Sequence, residues 1–334
     1  MLTRRTFLSL SGAALAEPPA DLRTPFKFPR LVVTGSNRPG TFDRNSVDCP
    51  FVFRHEGRFY MTYVGFDGEG YQTGWAVSSN LTEWKPLGLL IGRDPNSPVT
   101  RYNVALTWIL RDNDVFGAGT LKRVGGRFLG VYHAYPKPGY EEGPAVIGLC
   151  WSRDLRRWEL DPPCLRAEDG AAWEQGGLYK ACLVEHAGAY YLFYNAKTRG
   201  QPWREQTGFA TSKDLKRWVR FPGNPVIPNG GPGAPDEIFA SDPCVLRHRD
   251  RWALFYYGLD KRGVARDLLA LAPAFEGPVT KAGVLIDVGP KGSIDSRYAH
   301  KPSVIAHQGA LYHFYCAVSE EFGRGIGVAR SRPF

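Results

Sequence analysis

Four carboxyl groups and three cations recur at one kind of place in this 334-residue sequence. Asp48 stands in "DCPFV", Asp242 in "SDPCVL", Glu174 in "WEQGGLYK" and Glu237 in "PDEIFASDP". Lys180 closes the third of these, and His300 and Lys301 open "HKPSVI". Each lies just ahead of a short apolar run. Two carboxyls in different environments can divide proton transfer between them, one kept protonated as an acid and one ionised as a base or nucleophile. Nearby cations favour the ionised form and burial favours the neutral one. Buried without a ligand to serve, such a charged set is costly. It points to a cavity for a polar ligand.

A repeat supplies the means of bringing these residues together. Segments starting at Pro50, Gly119, Ala181, Pro243 and Pro302 each join a short apolar run to an aromatic run of period two. The turn falls seven residues on, at Gly57, Gly126, Gly188, Asp250 and Gly309. Alternation bounded by turn residues reads as a β-hairpin. The closing tyrosines Tyr63, Tyr132, Tyr194, Tyr256 and Tyr315 are 69, 62, 62 and 59 residues apart. A third strand then ends in a Ser-x-Asp-Leu turn or a variant of it, followed by Trp84, Trp158 or Trp218, which read as core of their units. Later copies, "GVARDLLALA" and "GVARSRPF", are worn down. Units of ~60 residues with three to four antiparallel strands, five times over, predict an all-β five-bladed β-propeller of four-stranded blades around a central channel. In chain order the expectation is a signal peptide at 1–16, a lead-in segment at 17–42 and a single propeller domain at 43–334. The first strand of each blade lines the channel. Asp48 and Cys49, Gly117 and Ala118, Tyr179 and Lys180, Ser241 and Asp242, and His300 and Lys301 should therefore meet at one mouth.

The Ser-x-Asp-Leu-x-x-Trp turns at Ser152 and Ser212, "SDPCVL", "DCPFV" and the aromatic hairpins resemble the five-bladed propeller glycosidases. That superfamily holds glycoside hydrolase families 32, 43, 62, 68, 117 and 130; the likeness runs from about Asp43 to Arg330 and singles out none of them. It implies hydrolysis of an O-glycosyl bond by paired carboxyls at the channel mouth. The implied roles are Asp48 as base or nucleophile, Glu174 as general acid with Glu237 as its substitute, and Asp242 as the orienting carboxylate. Lys180, His300, Lys301, Tyr179, His133, Glu237, Trp173 and Asn195 are the expected substrate contacts. Lys197 and Tyr135 at strand ends, and Trp203 as a stacking platform, are lesser candidates. Asp48 stands two residues before its proline, where the superfamily pattern has Asp directly before it. Since one step along a strand reverses side-chain direction, Asp48 needs a bulge or a different entry to face the channel. A furanoside-type oligosaccharide or polysaccharide is the implied substrate. No cofactor is required; a calcium or sodium ion near His300 is a superfamily option, though no Asp-rich calcium loop accompanies it. A non-catalytic carbohydrate-binding propeller and a glycoside phosphorylase stand as alternatives.

Composition agrees with such a fold. At 43% apolar and 13% aromatic residues the chain can bury a large core, and its 38 glycines and 26 prolines suit many turns. The net charge of +9 is spread along the sequence instead of clustered, which argues against a nucleic-acid partner. "MLTRRTFLSLSGAALA" has Arg4 and Arg5, a short apolar run and an A-x-A ending at Ala16. That pattern is a twin-arginine export signal, so a periplasmic or extracellular protein is expected. No stretch approaches the ~20 apolar residues of a membrane span. The six cysteines show no C-x-x-C or Cys/His metal spacing and read as free thiols, mostly in apolar strands. A monomer or simple homo-oligomer is expected.

Overall fold

The computed structural model describes residues 17–334; the expected export signal at 1–16 lies outside the described residues. Five antiparallel sheets follow one another in sequence. Blade 1 is built from Ser46–His55, Arg58–Phe66, Tyr71–Ser78 and Lys85–Ile91. Blade 3 (Gly177–His186, Ala189–Lys197, Glu205–Ser212, Val219–Arg220) and blade 4 (Phe239–His248, Arg251–Leu259, Ala265–Ala272, Thr280–Ile286) repeat that order. Blade 5 takes three strands from the end of the chain, Tyr298–His307, Ala310–Ser319 and Gly323–Arg330. Its outer edge comes from the lead-in segment, where Phe26–Lys27 and Val33–Thr34 both pair with Gly323–Arg330. Joining the two chain ends in one blade closes the ring and leaves no long unpaired edge there.

Blade 2 departs from the predicted frame. Its inner strand is Ala105–Ile109, paired with Arg127–Ala134, and Val146–Ser152 and Glu159–Leu165 follow. Cys164 thus lies in an outer strand. The segment from Arg111 to Leu121 leaves the blade and crosses the far end of the channel. Gly119 accepts a hydrogen bond from Arg54 N–H at the end of one inner strand, and Val115 N–H donates to Arg247 at the end of another. Gly117 and Ala118 are therefore at the channel floor, opposite the mouth where the repeat spacing predicts them. Arg111 helps to close that floor. Its guanidinium, buried against Phe51 and Trp108, donates to the carbonyls of Val52 and Val304 at 2.7 Å each.

The recurrent motifs have a packing cause. Gly148 and Gly327 lie opposite closing tyrosines, and a Cβ there would approach the rings of Tyr132 and Tyr315 to 2.4 and 2.8 Å. In the Ser-x-Asp-Leu turns, Ser152 Oγ accepts from Leu155 N–H, and Asp154 Oδ1 accepts from the N–H groups of Arg156 and Arg157. These bonds hold the leucine in a left-handed conformation, repeated at Leu81, Leu155 and Leu215. Trp84, Trp158 and Trp218 pack on the core from partly buried positions.

Candidate active site

Every inner strand but that of blade 2 begins with the same irregularity. Register breaks between Asp48 and Phe51, Tyr179 and Cys182, Ser241 and Cys244, and His300 and Ser303. At each break one residue has positive φ: Cys49 (50°), Lys180 (26°), Asp242 (53°) and Lys301 (69°). A non-glycine residue in that region costs about 1 kcal/mol or more, so four of them are a construction and not an accident. The bulge cancels one reversal of direction. Two consecutive residues can then face the mouth, which is how Asp48 and Cys49 both reach Lys301.

An ionic cluster follows. Asp48 Oδ2 is 2.6 Å from Arg324 Nη1 and 3.3 Å from Lys301 Nζ, while its Oδ1 accepts from Cys49 N–H at 2.7 Å. Burial opposes ionisation of Asp48, but Lys301 and Arg324 overcome it and hold the carboxylate far below its usual range. A carboxylate so stabilised is a weak base. Lys301 also lies 3.8 Å from Asp242 Oδ2, an oxygen without a hydrogen-bond partner. Burial raises the Asp242 pKa in spite of Lys301 and Lys180. His300 is kept neutral, its pKa driven to about 3 by burial and then by Arg324. Its Nδ1 faces the Cys316 carbonyl at 3.0 Å, which can only accept, so Nε2 is left as an acceptor. His133 has the opposite tautomer, because its Nδ1 accepts from Lys180 N–H. The Lys180 ammonium and the Tyr179 hydroxyl are buried without partners.

Sequence reasoning missed two carboxyls, Glu205 and Glu141. Glu205 is 2% exposed and begins the third strand of blade 3. Its Oε1 accepts from Trp203 Nε1 at 3.0 Å; its Oε2 accepts from Asn195 Nδ2 at 3.1 Å and from Ser241 Oγ at 2.6 Å. Glu141 rides on the loop between the second and third strands of blade 2, with its carbonyl bonded by Lys197 Nζ. That loop is fastened to blade 1: Tyr140 packs on Phe66 and Tyr71 and shares a hydrogen bond with Ser46. Burial, and then the charge of Glu141, push Glu205 up to about 8; burial and Asp242 raise Glu141 against the pull of Lys301. Glu205 thereby keeps its proton into the neutral range. A signal for Glu205 was present. Three residues before the partner of each closing tyrosine stand Tyr71, Ala145, Glu205, Ala265 and Arg324, and only blades 3 and 5 put a charge there. Glu141 has no counterpart in the repeat.

Two cavities meet at Glu141. One of about 400 Å³ is lined by Asp48, Tyr71, Tyr257, His300, Lys301 and Arg324. The other, about 320 Å³, is lined by Gln175, Lys197, Arg199 and Trp203. Glu141 belongs to both. Of the expected site residues, the structure brings together Asp48, Asp242, Lys180, Tyr179, His133, Asn195, His300 and Lys301. Three lie elsewhere. Glu174 Oε2 accepts from Tyr194 OH at 2.9 Å and from Arg220 Nε at 3.0 Å. The same arrangement recurs as Tyr256–Asp236–Lys281 and Tyr315–Asp295–Lys27, with the carboxylate always 20 residues before its tyrosine. Glu174 is thus a blade-joining element. Trp173 stacks on Tyr194 within that element. Glu237 turns its carboxylate back to Gly233 N–H in its own loop. Replacing Glu174 by Gln should lower thermal stability by about 1–3 kcal/mol and leave turnover within a few-fold. A large loss of turnover at unchanged melting temperature would restore it to the acid role.

Among the described residues no group of three or more His, Cys, Asp and Glu side chains is gathered to hold a metal ion. All six cysteines are free thiols.

A profile of the family described as "Glycosyl hydrolases family 32 N-terminal domain" matches residues 121–265. No curated protein matches the sequence. Solved structures do. One described as a complex of BT0996 with RGII is 30% identical, with a TM-score of 0.82 and 94% of both proteins covered. A second, described as "Glycoside hydrolase", is 29% identical over 93% of both proteins with a TM-score of 0.81. A family 117 glycoside hydrolase from Zobellia galactanivorans shares the fold at 16% identity, TM-score 0.66, over 93% of this chain and 91% of that one.

Proposed function

This chain belongs to the five-bladed β-propeller glycosidase superfamily, and on that premise we propose that it hydrolyses a glycosidic bond with Glu205 as general acid and Glu141 as its partner carboxyl. The observation that carries the reading is a pair of carboxyls: Glu141 stands where the two cavities meet, and Glu205, bonded to Trp203 of the outer cavity wall, is pushed up to about 8 by burial and by the charge of Glu141. Glu205 protonates the leaving oxygen. Glu141, with Lys301 favouring its ionised form, acts as base toward water or as nucleophile. Asp242 keeps the acid protonated by like-charge repulsion. Asp48 stays ionised and holds Lys301 and Arg324 in place against the sugar. His300 Nε2 accepts a sugar hydroxyl, and the ring faces of Tyr71 and Tyr257 suit the C–H face of a sugar.

A furanoside-type oligosaccharide met outside the cytoplasm fits this reading. Support for the location is the twin-arginine pattern at Arg4 and Arg5. Changing both to Lys should leave uncleaved precursor inside the cell, and unaltered export would remove that part of the proposal. The catalytic claim is tested with the mature protein on a panel of aryl furanosides, aryl pyranosides and plant and algal polysaccharides, with reducing ends measured. Hydrolysis of at least one class is expected. Sugar binding without any hydrolysis would make the protein a carbohydrate-binding propeller instead.

A further inference from the structure

We propose that the cavity on the outer side of Glu141 receives the leaving half of the substrate and that this half carries a carboxylate, as a uronic acid unit does. The inference rests on the hydrolase reading above and adds the chemistry of the second sugar.

The assignment of sides comes from Glu205. Its Oε1 is hydrogen-bonded by the indole of Trp203, a residue that lines the outer cavity and not the inner one. An acid protonates the oxygen that departs, so the leaving sugar belongs on the Trp203 side. The inner cavity, walled by Asp48, Tyr257, His300 and Lys301, then holds the sugar whose anomeric carbon reacts.

The charge of the outer cavity is the second argument. Lys301 and Arg324, the cations of the inner cavity, are both matched by Asp48. The cations of the outer cavity, Lys197 and Arg199, have no ion pair with a carboxylate among the described residues. Lys197 is not a free surface side chain. Its ammonium sits 4.4 Å from the centre of the Trp203 ring and 5.3 Å from that of Tyr179, and it donates to the Glu141 carbonyl at 2.6 Å. This fixes the charge in the cavity wall at little further entropic cost. A sugar packed over Trp203 would cover Lys197 and remove it from water. A neutral sugar would leave Lys197 only the through-space charge of Glu141, Glu205 and Glu142, whereas a carboxylate would pair with it directly. Glu142 at the exposed rim is the only other carboxylate lining this cavity besides Glu141, and it disfavours anions that bind loosely at the edge.

The test uses galacturonate, glucuronate and their uncharged methyl esters, titrated into the full mature chain and followed by calorimetry and tryptophan fluorescence. The acids are expected to bind at least about tenfold more tightly than the esters, as a charge-assisted contact allows, and added salt should narrow the difference. Lys197→Met, and more so the double variant Lys197→Met with Arg199→Gln, should abolish the preference. Equal binding of acids and esters, no binding of either acid, or a preference that survives the double variant would overturn the proposal. Hydrolysis of aryl glycosides with no uronate preference defeats this inference and leaves the hydrolase reading intact. Uronate binding at the outer cavity in a protein that hydrolyses nothing defeats the hydrolase reading instead.

Discussion

Replacing Glu205 by Gln is expected to lower turnover on a glycoside with a sugar leaving group by about 1,000-fold, within the usual range for a general acid. The loss should be much smaller on a dinitrophenyl glycoside, whose leaving group needs no proton. Glu141→Gln, by contrast, should damage both substrates, because the base or nucleophile is required whatever departs. The pH profile carries the same assignment. Glu205 works only while protonated, so activity should be present below its pKa of about 8 and be lost as pH rises through that value. The groups that face it are Glu141 and Asp242, which raise it, Lys301 and the Ser241 hydroxyl, which lower it, and Lys197, Tyr179 and Tyr257 close by. Asp242→Asn removes a like charge and should move the alkaline limb down. Ser241→Ala removes a 2.6 Å donor to the carboxylate and should move it up. If Glu205→Gln were equally inactive on both substrates and neither neighbour moved the limb, Glu205 would not be the acid.

Asp48→Asn should be the most destabilising single change at the mouth, by about 3–5 kcal/mol. The variant leaves Lys301 and Arg324 in the interior with their shared carboxylate gone; Lys301 is only 7% exposed. Unlike Glu174→Gln, it should also impair catalysis, because both cations would shift within the cavity. The sign of its pH dependence follows from the direction of the shift. The folded-state pKa of Asp48 is depressed, so its stabilisation is full above the ordinary carboxylate pKa of about 4 and declines below it by about 1.4 kcal/mol per pH unit. Thermal unfolding of wild type and variant at pH 7 and pH 3 measures this. The gap should be wide at pH 7 and narrower at pH 3. A gap that is absent at pH 7, or that widens in acid, would show that the cluster is not held as described.

Hairpin spacing alone was enough to specify five blades, because a hairpin is a local structure: its turn residue, alternating apolar face and closing aromatic lie within about 16 residues. It also placed Asp48, Lys180, Asp242, His300 and Lys301 at a common level, since each stands at a constant offset from a turn whose register is set locally. The direction of those side chains was a different matter. Alternation along a strand points Asp48 away from the channel if its neighbour points in, and only the bulge at Cys49 reverses this. The same bulge recurs at Lys180, Asp242 and Lys301, but alternation along a strand does not show it.

Glu141 and Glu174 show where the tertiary structure alone decided, and Glu205 where it settled what the repeat only hinted at. Glu141 reaches the site because its loop is pulled across the mouth by Tyr140 packing on blade 1, a contact over some seventy residues of sequence. Glu205 enters from the third strand of its blade, where four of the five equivalents carry no carboxylate. Glu174 has the residue type and the nearness in sequence of a catalytic acid, yet the fold commits it to Tyr194 and Arg220, as it commits Asp236 and Asp295 to their own tyrosines. The hairpin pattern that begins at Gly119 likewise yields only the short rung Arg123–Val124, while the inner strand of blade 2 comes from Ala105–Ile109. Local patterns specify strands and turns through short-range sterics and alternation. Whether a carboxyl becomes an acid depends on burial and on charges brought from other blades, and those are properties of the assembled ring.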